Sequence, residues 1–167
     1  MLHLIGIGSP FGDDRIGCLM IDELRRSKRL QLHLGCEIEL LSADRPGAGI
    51  LSLLEGKESV VIIDAVITDG AMVGQLHSWA EPALIEDKCI MNSSHGIGLA
   101  QSLALAQALG ALPPQLRILG IEIAPPEGVF AELTSQLRQQ LPALVEKVVD
   151  EIISINQTPF LIGHVPS

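Results

Sequence analysis

Apolar residues recur along this chain with two different periods, which predict alternating strands and helices. Continuous apolar runs and period-two alternation predict five strands, at residues 2–8, 37–42, 59–64, 72–79 and 116–123. Apolar positions three and four residues apart predict four helices, at residues 15–29, 49–55, 97–110 and from Thr134 onward. Because the two kinds of element alternate, we expect a three-layer α/β fold, with a twisted, mostly parallel sheet of about five strands between helices.

The length of 167 residues suits a single domain. We predict one α/β domain over residues 1–155 and a C-terminal tail over residues 156–167. Pro142 lies inside the last helix and is expected to kink it or to begin a second helical segment. Residues 89–116 contain no Asp, Glu, Lys or Arg, but polar residues and Pro113 interrupt this stretch. We therefore expect a buried helix there and not a membrane span.

Composition excludes several classes of function. Eleven basic residues against twenty acidic ones give a net charge of −9, which argues against nucleic acid and anionic membranes as partners. The three cysteines form no Cys-x-x-Cys pair, so a zinc ribbon or a disulfide framework is not expected. The N-terminus lacks the basic flank of a signal peptide. We expect a cytoplasmic protein that acts as a monomer.

The first loop, at residues 6–14, reads GIGSPFGDD and nearly matches the glycine pattern of dinucleotide-binding loops. Phe11 stands where the third glycine belongs, and two carboxylates at the start of a helix would repel a pyrophosphate. A nucleotide-dependent enzyme is therefore only a minor alternative. We expect either Asp13 or Asp14 to cap the helix, which leaves the other carboxylate over the sheet edge.

Two further residues lie where strands or helices begin and end. Asp64 ends the most apolar strand, and His95 directly precedes the uncharged helix. Each residue also has an interpretation without a functional role. Asp is common in turns, so Asp64 would be a turn residue, and His95 would be a residue of the loop before the helix. If the first and third strands are parallel neighbours, Asp14 and Asp64 reach the same edge of the sheet. Two carboxylates and one imidazole would suit a divalent transition metal.

Four segments of the chain resemble the hydrogenase maturation endopeptidases, which trim the C-terminus of the large subunit of nickel–iron hydrogenases. The resemblance covers nearly the whole chain except the tail, and the segments have the family's order and spacing. They are Gly6 to Gly17, Ile63-Asp64-Ala65, Ser94 to Ala100 and Leu119 to Glu122.

This resemblance implies an endopeptidase that acts on a hydrogenase large-subunit precursor. It places the nickel-contacting and catalytic positions on Asp14, Asp64 and His95, with Asp13 as a possible proton shuttle. The nickel is expected to arrive already bound to cysteines of the precursor, which would explain why this chain lacks a cysteine cluster. Whether nickel takes part in catalysis or is only recognised stays open.

The chain departs from the family pattern in two loops. Ser9 stands where the family usually has Asn, and Arg45 and Pro46 follow Asp44 where the family usually has glycines. We expect Ser9, Asp44 and Arg45 to contact the substrate, and the changed loop after the second strand to select a different subgroup of hydrogenase. The alternative to a protease is a non-cutting α/β binding module that uses Arg45 to recognise a partner's tail or a small anion.

Overall fold

The computed structural model describes residues 1–80 and 98–157. In this part of the chain the strands form one five-stranded sheet with the order β2-β1-β3-β5-β4. The strands are β1 (Leu2–Gly8), β2 (Ile38–Asp44), β3 (Ser59–Val66), β4 (Leu76–Ala80) and β5 (Gln115–Glu122). Four of them are parallel, and β4 pairs antiparallel with β5 at one edge. The predicted mostly parallel α/β sheet is confirmed.

Helices cover both faces of the sheet. Those in the described ranges are α1 (Ile16–Arg26), α2 (Lys28–His33), α3 (Ile50–Leu54), α4 (Leu99–Ala108) and α5 (Ser135–Gln157). Helices α1, α2 and α5 share one core with strand residues such as Val61, whereas α3 and α4 share the other with Ile62. Neighbouring residues of a strand point to opposite faces, so one apolar strand supplies both cores. None of the described helices is long and apolar enough to cross a membrane.

The predicted helix over residues 15–29 is in fact two helices, separated at Ser27. Ser27 has an extended backbone (φ −74°, ψ 102°), and its Oγ accepts a hydrogen bond from the N–H of Leu30 at 3.2 Å. The hydroxyl thus caps the start of α2, which is the position that serine favours. The apolar periodicity continued across this break and concealed it.

Other boundaries also differ from the prediction: β3 continues two residues past its predicted end at Asp64, to Val66. The strand predicted at 72–79 begins only at Leu76, because Gly70 and Gly74 have left-handed φ angles of 76° and 82°. Helix α5 continues through Pro142 to Gln157, two residues into the predicted tail. Residues 158–167 lie outside the described part of the chain.

The N-terminal end of α1 lies directly against the backbone of the sheet. A Cβ atom added at Gly17 would lie 2.1 Å from the carbonyl oxygen of Ile7 and 2.5 Å from that of Ile63. A Cβ atom added at Gly6 would lie 2.3 Å from the carbonyl oxygen of Gly17. These neighbours are backbone atoms, which cannot rotate away as a side chain can. The glycines therefore allow α1, and the turn that precedes it, to pack onto β1 and β3.

Candidate active site

The carboxyl ends of β1, β2 and β3 meet at one edge of the sheet. Asp64 lies in β3, and Asp14 lies in the 3₁₀ turn Gly12–Arg15 that leads into α1. A Cβ atom added at Gly8 would lie 2.4 Å from the carbonyl oxygen of Asp14, so a glycine at the end of β1 lets this turn rest on the strand. The glycines of the first loop therefore serve close backbone packing, which positions the carboxylate of Asp14.

Asp14 and Asp64 line the same cleft at this edge. Arg45, from the loop after β2, and Ser102, from α4, line it as well. The predicted juxtaposition of the two carboxylates is thus present in the structure, and it follows from the pairing of β1 with β3. Ligands of parallel α/β sheets bind at this edge, so the cleft is the candidate active site.

Burial is the main influence on the pKa of Asp64, which exposes only 7 % of its surface. Loss of solvation raises the pKa of Asp64 to about 7, and the nearby charge of Asp14 adds to this effect. A hydrogen bond that the N–H of Ala65 donates to Oδ1, at 2.8 Å, acts in the opposite direction. A cleft that holds two carboxylates in this way favours a cation or a proton between them.

Arg45 and Asp44 form an exposed ion pair beside the cleft. The Arg45 Nε donates to Oδ1 of Asp44 at 2.7 Å, and this guanidinium lowers the pKa of the Asp44 carboxyl. The backbone of Arg45 has a φ of 40°, and its N–H donates to the carbonyl oxygen of Gly8 at 3.0 Å. The loop after β2 is thereby attached to the end of β1. Of the two residues expected to contact substrate here, Arg45 lines the cleft and Asp44 holds the Arg45 side chain.

Asp13 has a structural partner that the sequence did not indicate. Its buried carboxylate accepts hydrogen bonds from Thr134, through the backbone N–H at 2.7 Å and the Oγ1 hydroxyl at 2.9 Å. The turn and α1 show no side-chain cap, so the expectation that Asp13 or Asp14 caps this helix was wrong. Both oxygens of Asp13 are thus bound to Thr134, and the role of Asp13 as a proton shuttle stays a prediction.

Replacing Thr134 with valine should lower the free energy of unfolding by about 1–2 kcal/mol. Valine removes the hydroxyl that bonds to Asp13, and also the oxygen that accepts the N–H of Leu137 at 3.4 Å at the start of α5. Thr134→Ser keeps both bonds and should stay within about 0.5 kcal/mol of the parent protein. Urea unfolding of the three proteins measures the difference, and equal midpoints for valine and serine would contradict this assignment.

Ser9 is buried, and its Oγ accepts a hydrogen bond from the N–H of Phe11 at 3.4 Å. It lines a second depression, next to the cleft, which shares Asp14 and Arg45 with it. The structure thus places Ser9 outside the lining of the cleft, in the loop that carries Asp14.

His95 lies outside the described residues, so its predicted place beside Asp14 and Asp64 stays a prediction. Within residues 1–80 and 98–157, no group of three or more His, Cys, Asp or Glu side chains is arranged to hold a metal ion. Asp14 and Asp64 alone would supply two oxygen ligands. Among the described residues, these two carboxylates alone do not form a complete metal site.

Two polar residues of this region were missed by the sequence reasoning. The Ser102 hydroxyl is buried in the cleft wall and has no hydrogen-bond partner among the described residues. The buried carboxylate of Glu122 accepts bonds from the N–H of Thr68 at 2.6 Å and its Oγ1 at 2.8 Å, and it contacts Nε2 of His77 at 2.9 Å. Glu122 therefore holds the chain that directly follows β3. The signal for both was a polar residue in an apolar element, the same signal that identified Asp64.

Known proteins resemble this chain in sequence and in fold. The family model described as hydrogenase maturation protease matches residues 24–151, which is more than half of the chain. The hydrogenase 2 maturation protease of Escherichia coli (strain K12) is 26 % identical over 160 residues, covering 89 % of this chain and 93 % of that protein.

Solved structures agree with this match. The hydrogenase maturating endopeptidase HybD from E. coli superposes with a TM-score of 0.67 at 22 % identity, over 92 % of this chain and 93 % of that one. An endopeptidase from E. coli solved in solution superposes with a TM-score of 0.72 at 20 % identity, over the same shares of the two chains. At these identities the structural likeness shows a shared fold.

Proposed function

The chain belongs to the hydrogenase maturation proteases, and from this premise we propose that it removes a C-terminal extension from the large-subunit precursor of a nickel–iron hydrogenase. The observation that supports this reaction in this chain is the cleft in which Asp14 and Asp64 lie together at the carboxyl edge of the sheet. Peptide hydrolysis needs a group that polarises the scissile carbonyl and a group that moves protons. A carboxyl group can move protons, and a protonated carboxyl or a cation held by carboxylates can polarise the carbonyl.

The proposed substrate carries its own nickel ion, bound to cysteines of the precursor. Asp14 and Asp64 would contact this ion from the protease side, with His95 as the predicted third contact. A nickel ion bound in this way supplies Lewis-acid polarisation of a carbonyl or of water. The two carboxylates favour such an ion because a cation relieves the repulsion between them.

The other cleft residues would orient the precursor. The Arg45 guanidinium lies at the mouth of the cleft and can donate to a peptide carbonyl, while its pair with Asp44 restricts its side chain. Ser102 lies in the cleft wall, where its buried hydroxyl has no hydrogen-bond partner among the described residues. Arg45 stands where the family usually has glycine, so its contact would select among precursors.

The experiment that tests the proposal uses purified protein and a large-subunit precursor from the same organism, in nickel-loaded and nickel-free forms. We expect the nickel-loaded precursor to lose its C-terminal extension, seen as a mass decrease equal to that of one released peptide. The nickel-free precursor should keep its mass. A precursor bound by the protein but left at full length in both forms would support a non-cutting binding module and overturn the proposal.

Cleavage of both forms at the same rate would leave the protease function standing but would remove nickel from the recognition step. A His95→Ala variant tests the predicted third contact. It should lose cleavage of the nickel-loaded form if His95 contacts the ion. Full activity of that variant would exclude His95 from the site.

A further inference from the structure

Next to the cleft lies an apolar groove formed by two loops that are distant in sequence. We name it the Phe11–Phe130 groove, and its apolar lining includes Phe11, Pro125, Pro126, Val129 and Phe130. Phe11, Val129 and Phe130 expose 47 %, 82 % and 63 % of their surfaces. Large apolar side chains that cluster in the open on one side of a small protein mark an interaction surface.

The groove is preformed, because hydrogen bonds hold its two walls together. Asp13 binds Thr134 with both oxygens, and Arg15 Nη1 donates to the carbonyl oxygen of Ala131 at 3.0 Å. A Cβ atom added at Gly12 would lie 3.6 Å from the carbonyl oxygen of Phe130, so the two loops are in close contact. A preformed surface loses little conformational entropy on binding, which favours its use as a docking site.

The groove is also continuous with the candidate active site. Asp14 and Arg45 line both the cleft and the groove. An extended peptide advances about 3.3 Å per residue, so residues a few positions from a bond in the cleft would lie over the groove. Four carboxylates line the groove, which disfavours an acidic occupant: Asp13, Asp14, Glu127 and Glu132.

From these observations we propose that the Phe11–Phe130 groove binds an apolar, non-acidic segment of the precursor polypeptide next to the scissile bond. This inference rests on the proposed function, since it takes the precursor as the substrate. Phe11 and Phe130 act in substrate affinity and not in the chemical step. The groove therefore determines which precursors are accepted.

The test compares steady-state cleavage of nickel-loaded precursor by the parent protein and by Phe11→Ser and Phe130→Ser variants. We expect KM to rise about 10-fold in each variant, as for the loss of an aromatic contact at an interface, while kcat stays within about twofold. Leu32→Ser is the matched control, because Leu32 is 81 % exposed in α2 and does not belong to the groove. Unchanged KM in both Phe variants would overturn the inference.

A binding measurement separates this inference from the proposed function. Precursor affinity is measured for Asp64→Asn and for the double variant Asp64→Asn/Phe11→Ser, neither of which needs to cut. A roughly 10-fold weaker affinity of the double variant supports binding of the precursor in the groove, even if the parent protein proves not to be a protease. Equal precursor affinities of the single and double variants would overturn the proposal that the groove binds the precursor.

A second copy of this chain is the competing occupant. Sedimentation of the parent protein should show a monomer. A dimer that dissociates on Phe11→Ser substitution would assign the groove to self-association and overturn the proposal.

Discussion

Replacing Asp64 with asparagine should reduce cleavage of the precursor by about 10²–10⁴-fold, the range associated with loss of a positioned acid or base. Asparagine keeps the size of the side chain and an oxygen that can accept the N–H of Ala65, so the local structure should survive. It removes the negative charge and the proton-binding site from a cleft that Asp64 shares with Asp14. The rate of precursor shortening, followed by mass, measures the effect.

Asp22→Asn is the matched control for this substitution. Asp22 is an exposed carboxylate of α1 whose partner is Arg25, three residues away, and its loss should leave cleavage unchanged. Cleavage by Asp64→Asn at the rate of this control would exclude Asp64 from the reaction.

The Asp64→Asn variant should be more stable than the parent protein at pH 8. The pKa of Asp64 is raised to about 7 in the folded protein from the ordinary value of 3.8, so the folded state binds this proton more tightly than the unfolded state does. The stabilisation from this proton is complete below pH 3.8 and is lost as the pH rises through 7. Asparagine has no such dependence, and its advantage should grow to an order of 2–4 kcal/mol by pH 8. Urea unfolding at pH 4, 6 and 8 tests the trend, and a difference that is constant with pH would contradict it.

The largest loss of stability is expected for Gly17→Ala, at about 3 kcal/mol. The new methyl group would meet the carbonyl oxygens of Ile7 and Ile63 at 2.1 and 2.5 Å, so α1 would have to move away from β1 and β3. That movement opens the core on this face of the sheet and displaces the turn that carries Asp14. A decrease in Tm of about 6–12 °C, with weaker cleavage, is the expected measurement.

Gly49→Ala is the control for the glycine substitution. Gly49 has helical angles (φ −63°, ψ −14°), and a Cβ atom there meets no atom within 4 Å. Alanine should fit without strain and add up to about 1 kcal/mol by restricting the unfolded chain. If both alanine variants melt at the same temperature, the close approach of α1 to the sheet does not determine stability.

Some interpretations of the sequence were correct for a clear physical reason. The apolar runs of β1 and β3 could be recognised because a strand buried on both faces must be apolar throughout. The break at Ser27 could not, because the same periodicity continues on both sides and only the capping hydrogen bond distinguishes two helices from one.

The roles of the two neighbouring aspartates show where sequence reasoning ends. Asp13 and Asp14 are adjacent, chemically identical and both close to the end of β1. Asp13 is engaged by Thr134, which is 121 residues away along the chain, whereas Asp14 lines the cleft with Asp64. A local pattern contains no information about a partner at that separation.

The sequence by itself determined the α/β class, the succession of strands and helices, and the placement of Asp14 and Asp64 near the carboxyl ends of β1 and β3, because local periodicity and apolar runs reflect burial directly. Only the tertiary structure decided the strand order, the partner of Asp13, the close packing at Gly17 and the groove between Phe11 and Phe130. Each of these depends on contacts between segments that are distant in sequence, and such contacts exist only after the chain has folded around its two cores.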